Sequence, residues 1–153
     1  MSTRHPPGCR RRSDTGMARI LKVHHIAIAV PELEKAVSFW QEQLGFKVDH
    51  EEDVPSQKSR VAFLPVGDCE VEIVSPTTAD GGIAKFLEKH GPGIHHVCFE
   101  VDHIDEMLVQ MRSRGVILID EVARKLPGRK MAFIHPKSAN GVLVELYEVT
   151  DVS

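Results

Sequence analysis

Cysteine is scarce. Cys9, Cys69 and Cys98 are scattered along the chain and form no CxxC pair. An odd, dispersed set argues against a disulfide framework and points to a reducing, cytoplasmic setting. Long apolar runs are missing as well. None approaches the roughly 20 residues that a bilayer-spanning helix needs, so no membrane partner is expected. There is no excess of basic charge: the formal net charge is −3, which argues against a general nucleic-acid binder. The first sixteen residues, "MSTRHPPGCRRRSDTG", hold four arginines and one aspartate but no apolar segment, which excludes a secretory signal. Residues 1–17 read as a disordered extension, with Met17 as an alternative start, and 18–153 as a single folded domain.

The rest of the composition is that of an ordinary globular chain, 42% hydrophobic and 27% charged. Its distinguishing feature is nine histidines, four of them in two pairs. "VHHIAIAV" (23–30) and "IHHVCFEV" (94–101) each set a double histidine at the head of an apolar strand pattern.

The two pairs belong to an internal repeat. His25 matches His96, "VAFL" (61–64) matches "MAFI" (131–134), and "EVEIV" (70–74) matches "LVELY" (143–147), at offsets of 71, 70 and 73. A helical pattern follows each double histidine. "PELEKAVSFWQEQLG" (31–45) aligns Leu33, Val37, Trp40 and Leu44 between Pro31 and Gly45. "DHIDEMLVQMRSRG" (102–115) aligns Ile104, Leu108 and Met111, with Asp102 as N-cap and Gly115 as stop. Strand signals complete both halves. The expected fold is α+β: two β-α-β-β-β modules, about 21–78 and 92–149, joined by a short helix and turn at 81–93. Each module has a helix on one sheet face only, so two side by side enclose a shared concave cleft.

Strand alternation says which residues face that cleft. His25, Ala27 and Ala29 share the less bulky face of the first strand, and His96, Cys98 and Glu100 that of its repeat. The small alanines read as room left for a ligand. His24 and His95 fall on the opposite, bulky faces and read as structural histidines. In the closing strands Glu72 and Glu145 point into the cleft from symmetry-related positions. Carboxylates between β-branched neighbours are costly unless paired or metal-bound. Two imidazoles and two carboxylates, His25, Glu72, His96 and Glu145, suit a divalent metal; a buried His–Glu network joining the halves is the alternative. Symmetry and the neighbouring alanines favour the metal.

"HHIAIAV" (24–30), "VAFLPVGDCEVEIVSP" (61–76), "IAKFLEKHGPGIHHVCFEV" (83–101) and "FIHPKSANGVLVEL" (133–146) carry a family resemblance. Over residues 21–149 the chain resembles the vicinal oxygen chelate superfamily and, within it, the methylmalonyl-CoA epimerases. The resemblance implies the glyoxalase-like fold, a homodimer, an acyl-CoA substrate and a divalent cation on His25, Glu72, His96 and Glu145. Co²⁺ is the first choice, with Zn²⁺, Mn²⁺, Ni²⁺ or Mg²⁺ as alternatives. It also implies isomerase chemistry: removal of the proton α to the thioester, stabilisation of the enolate by the metal, and return of a proton to the other face. Glu145 is the candidate for one acid/base role. The family commonly carries a further glutamate, in a Glu-Gln pair ahead of the "VAFL" strand, where this chain has Ser56 before Gln57. Glu52 or Glu51 is the substitute considered. Lys130 and Lys137 are candidates for holding the substrate's anionic groups, along with Lys125 and Arg129 around the Pro-Gly turn. Two other readings stand beside this one: a glyoxalase I-type lactoylglutathione lyase, disfavoured by "HPKSANG", and a non-catalytic binding member, disfavoured by the complete ligand set.

Overall fold

The computed structural model describes residues 18–151, so the expected N-terminal extension lies outside the described residues. The first unit runs β1 (Ile20–Ala29), α1 (Leu33–Glu42), β2 (His50–Val54), β3 (Ser59–Val66) and β4 (Cys69–Pro76). A linking helix, α2 (Gly82–His90), follows. The second unit runs β5 (Gly93–Val101), α3 (Ile104–Ser113), β6 (Arg124–Leu126), β7 (Arg129–Ile134) and β8 (Val144–Val149). The strands make one sheet in the order β2-β3-β4-β1-β5-β8-β7-β6, which reads the two units outward from a common centre. β1 and β5 pair antiparallel there, and each lies parallel to the last strand of its own unit, β4 or β8. Antiparallel hairpins complete both flanks, and the sheet curls into a half-barrel. The repeat therefore has the architecture expected of it.

The convex face is apolar because strand alternation and helical periodicity put large side chains there together. Leu33 and Val37 of α1 pack on Val30, Ala62, Leu64 and Ile73. Ile104, Met107 and Leu108 of α3 pack on Val101, Ala132, Ile134 and Leu146. Two details depart from the sequence pattern. Leu44 lies beyond the end of α1 and is exposed. Asp102 is not the N-cap of α3. That position falls to His103 at φ 51°, because the Asp102 carboxylate is taken by the Arg19 backbone N–H and guanidinium. At the β6–β7 hairpin Pro127 and Gly128 make the turn, with Gly128 at φ 74°, a conformation that favours glycine.

The linking helix explains the alanines. Ile83, Phe86 and Leu87 of α2 close over Ala27, Ala29, Val61 and Val74 on the concave side. Ala27 and Ala29 are 1% and 0% exposed. The space expected for a ligand is thus filled by α2, whose Ile83 contributes on the order of 1.5–3 kcal/mol by its burial. Among the described residues no helix is long and apolar enough to cross a membrane.

Candidate active site

His25, Glu72, His96 and Glu145 come from the four central strands, β1, β4, β5 and β8, and all line one cleft of about 680 Å³. His25 and Glu145 are each only 6% exposed. Three of the four converge. His25 Nε2 lies 3.1 Å from His96 Nε2, and both nitrogens lie 3.1 Å from Glu145 Oε2. Glu72 stands behind this triangle, its Oε2 2.9 Å from the other ring nitrogen of His25, Nδ1. The expected set is therefore assembled as three plus one.

The triangle fits a divalent cation. Metal–ligand bonds of about 2.0–2.2 Å at roughly right angles span ligand–ligand distances of about 3 Å, close to the sides observed. Three lone-pair atoms aimed at one point also need a positive charge between them. Burial opposes charge on His25, but the Cys98 thiol and the Glu145 and Glu72 carboxylates outweigh it and push its pKa up to about 12. Burial likewise disfavours the Glu145 carboxylate, yet hydrogen bonds from His25 and His96 hold it down at about 2. Imidazole ligands bind a metal through an unprotonated nitrogen, so a cation in the triangle would compete with protons for these atoms.

Both members of each histidine pair face the cleft, which alternation did not anticipate. On β1 Val23 pairs with Phe99 and His25 with Cys98, leaving His24 as an extra residue. On β5 His96 pairs with Ala27 and Ile94 with Ile28, leaving His95 as an extra residue. These are β-bulges, and a bulge turns a side chain from one sheet face to the other. His24 lines the cleft and stacks on Tyr147 with centroids 4.2 Å apart. His95 lines it too and meets the edge of Phe86.

The outer strands make two unlike walls. On β2, His50, Glu52 and Val54 face the cleft, and His50 Nε2 sits 3.0 Å from Glu52 Oε1. Glu51 and Asp53 point the other way and bind Arg60 at 3.0 and 2.9 Å, so of the acidic run only Glu52 reaches the cleft. Gln57 lines it beside them from a single 3-10 turn, Pro55–Gln57. Glu70, on the same side, is held up in pKa by burial and by Glu72. The facing wall carries Arg124 and Arg129, the latter 5.8 Å over the Tyr147 ring.

None of the candidate lysines, Lys125, Lys130 or Lys137, lines this cleft. Lys130 alternates onto the helix side of β7 and bonds Asp105 of α3 at 2.6 Å, and Lys137 is exposed in the turn Pro136–Ser138. Of the basic candidates Arg129 does line it, on the cleft face of the same strand as Lys130, and Arg124 joins it there. His50 and Arg124 went unread because β2 and β6 are polar strands with no apolar alternation to orient them.

Residues 24–133 match the model of the glyoxalase/bleomycin resistance protein/dioxygenase superfamily. The chain is 42% identical over 128 residues to the uncharacterized protein YqjC of Bacillus subtilis, covering 83% of this chain and 91% of that one. It is 38% identical over 127 residues to the mitochondrial methylmalonyl-CoA epimerase of Homo sapiens, covering 82% of this chain and 72% of that one. The crystal structure of methylmalonyl-CoA epimerase from Mycobacterium tuberculosis superposes with a TM-score of 0.77 at 37% identity, over 86% of this chain and 90% of that one. By fold and by these likenesses, the chain belongs to the methylmalonyl-CoA epimerase family of the glyoxalase/bleomycin resistance protein/dioxygenase superfamily.

Proposed function

We propose that this protein is a metal-dependent isomerase that interconverts the (2R) and (2S) forms of methylmalonyl-CoA by moving the proton at C2. The observation that carries the reading is the His25–His96–Glu145 triangle, with 3.1 Å sides, at the floor of a cleft large enough for an acyl group. His25, His96 and Glu145 would hold the cation, Co²⁺ first, and Glu72 would orient His25 through Nδ1. A divalent cation held there supplies positive charge beside the thioester oxygen, where negative charge grows as the α-proton leaves.

The chain's own residues supply the rest. Glu145 meets both imidazoles through Oε2, which leaves Oε1 to exchange a proton with C2. Glu52, on the β2 wall, serves the opposite face of the substrate, with His50 Nε2 holding its carboxylate. Positioned acid/base groups of this kind contribute about 10²–10⁴-fold each. Arg124 and Arg129 on the facing wall would anchor the substrate's anionic groups. Phe63, Phe133 and Met131 reduce water access around the reacting carbon. A cytoplasmic homodimer belongs to the same proposal, and light scattering of purified protein tests the dimer.

The test follows deuterium entry at C2 of methylmalonyl-CoA by NMR, with metal-loaded, EDTA-treated and Glu145→Ala protein. Exchange that needs metal and is lost in the variant, together with interconversion of the epimers, is the expected result. No exchange by folded, metal-loaded protein overturns the reading, and turnover of the glutathione–methylglyoxal hemithioacetal in its place would assign lyase chemistry.

A further inference from the structure

Each imidazole of the triangle is preceded in the chain by a second histidine that the proton-transfer chemistry does not use. The bulges carry both of these extra residues to the cleft side, at symmetry-related positions. There His24 Nδ1 lies 2.8 Å from His25 Nδ1, and His95 Nδ1 lies 2.9 Å from His96 Nδ1. Two nitrogens at that distance share one hydrogen: one donates and the other accepts. A histidine that gives its Nε2 lone pair to a metal keeps its hydrogen on Nδ1. The ligand histidine is then the donor and its bulged neighbour the acceptor. The acceptors are themselves held in place, His24 stacked on Tyr147 and His95 edge-on to Phe86 at 4.9 Å.

We infer that His95 and His24 are positioning residues. His95 accepts the Nδ1–H of His96, and His24 shares that of His25 with Glu72, so that each helps lock the tautomer and ring angle that aim Nε2 at the centre of the triangle. The inference rests on the proposed metal site. The two halves are not equivalent. His25 Nδ1 also has Glu72 Oε2 at 2.9 Å, whereas among the described residues His96 Nδ1 has His95 as its hydrogen-bond partner. His95 therefore carries more of the effect than His24. The double histidine is a paired device in which the second residue binds and the first aims it. The β-bulge is what brings both to one face.

The test measures Co²⁺ affinity by titration calorimetry and the visible d–d spectrum of the Co²⁺-loaded full chain, for wild type, His95→Phe, His95→Asn and His24→Phe. Phenylalanine keeps the ring and its contact with Phe86 but removes the acceptor. Asparagine returns an acceptor oxygen near the place of Nδ1. Expected are an affinity about 10–100-fold weaker with shifted d–d bands in His95→Phe, recovery in His95→Asn, and a smaller loss in His24→Phe. Unchanged affinity and spectrum in His95→Phe overturn the positioning role and leave the metal site standing. Failure of the wild type to bind Co²⁺ overturns both. Long-range ¹⁵N–¹H NMR of Zn²⁺-loaded wild type avoids any folding defect of a variant: His95 is expected as the Nε2–H tautomer, and a proton on its Nδ1 overturns the inference.

Discussion

The two flanks of the half-barrel share a hairpin plan and differ in charge. The β2–β3 flank turns His50 and Glu52 toward the cleft, next to Glu70 and Glu72 of β4, while the β6–β7 flank turns in Arg124 and Arg129. The central strands did not diverge in this way: β1 and β5 each offer a double histidine on a bulge. The difference follows from what each position does. Central strands are paired on both sides and covered by helix on the convex face, so their pattern serves folding and site together. The outermost strands β2 and β6 are largely exposed, so a charge there costs the fold little. In the proposed reaction one wall serves proton transfer and the other anion binding, although the two modules share one architecture. The linking helix is a second asymmetry, since α2 packs on the first module's alanines and the second module has no equivalent among the described residues.

Substitutions can break or sharpen this contrast. The largest effect is expected at the shared centre. Glu145→Ala removes the oxygen common to both imidazoles, and calorimetry should register loss of Co²⁺ binding while NMR registers loss of C2 exchange. On the acidic wall, Glu52→Gln should lower kcat by about 10²–10⁴-fold with Co²⁺ affinity unchanged, as steady-state kinetics and calorimetry together would reveal. If affinity falls instead, Glu52 belongs with the centre and not with the wall. Ile83→Ala opens a cavity under α2 and should destabilise the protein by about 2–5 kcal/mol in urea unfolding. Alanine at Leu87, which is only partly buried, should cost less. On the basic wall, Arg129→Met should raise KM about tenfold with kcat nearly constant, since a charge-assisted contact to bound substrate is lost in ground and transition state alike.

The smallest effect concerns the anchor of α2. Lys58 bonds Asp80 at 2.6 Å just ahead of that helix, and this bond, with help from Thr78, lowers the Asp80 pKa to about 2. A depressed carboxyl pKa stabilises the fold above the unfolded value, near 4, and that contribution is lost as pH falls through 2. Lys58→Met should therefore raise the Asp80 pKa in a ¹³C NMR titration. The thermal midpoint should drop slightly at pH 7, with little difference from wild type below pH 2.

Much of the fold was legible because apolar periodicity is legible. Leu33 and Val37, Ile104 and Leu108, and the alternating strands beneath them announced two helices on one sheet face, and the offsets near 71 announced the duplication. The same alternation reached His25, Glu72, His96 and Glu145, since a carboxylate or imidazole set among β-branched residues has few other uses. Ala27 and Ala29 misled. Small side chains mark close approach, but not what approaches, and here it is α2. Lys130 and Lys137 misled because a basic residue's charge says nothing about the face it takes. One position of alternation separates Lys130, tied to Asp105, from Arg129 in the cleft.

What the sequence determined by itself is the repeat, the two-module architecture and the chemical identity of the central residues, because these rest on local periods and on the cost of burying polar groups. What only the tertiary structure decided is how those residues meet: three at one point with Glu72 behind, two bulges that swing His24 and His95 into the cleft, and walls of opposite charge. Such features depend on strand register and on the curl of the sheet. A bulge shifts register by one residue without changing composition or periodicity, and a curl brings together positions far apart in the chain.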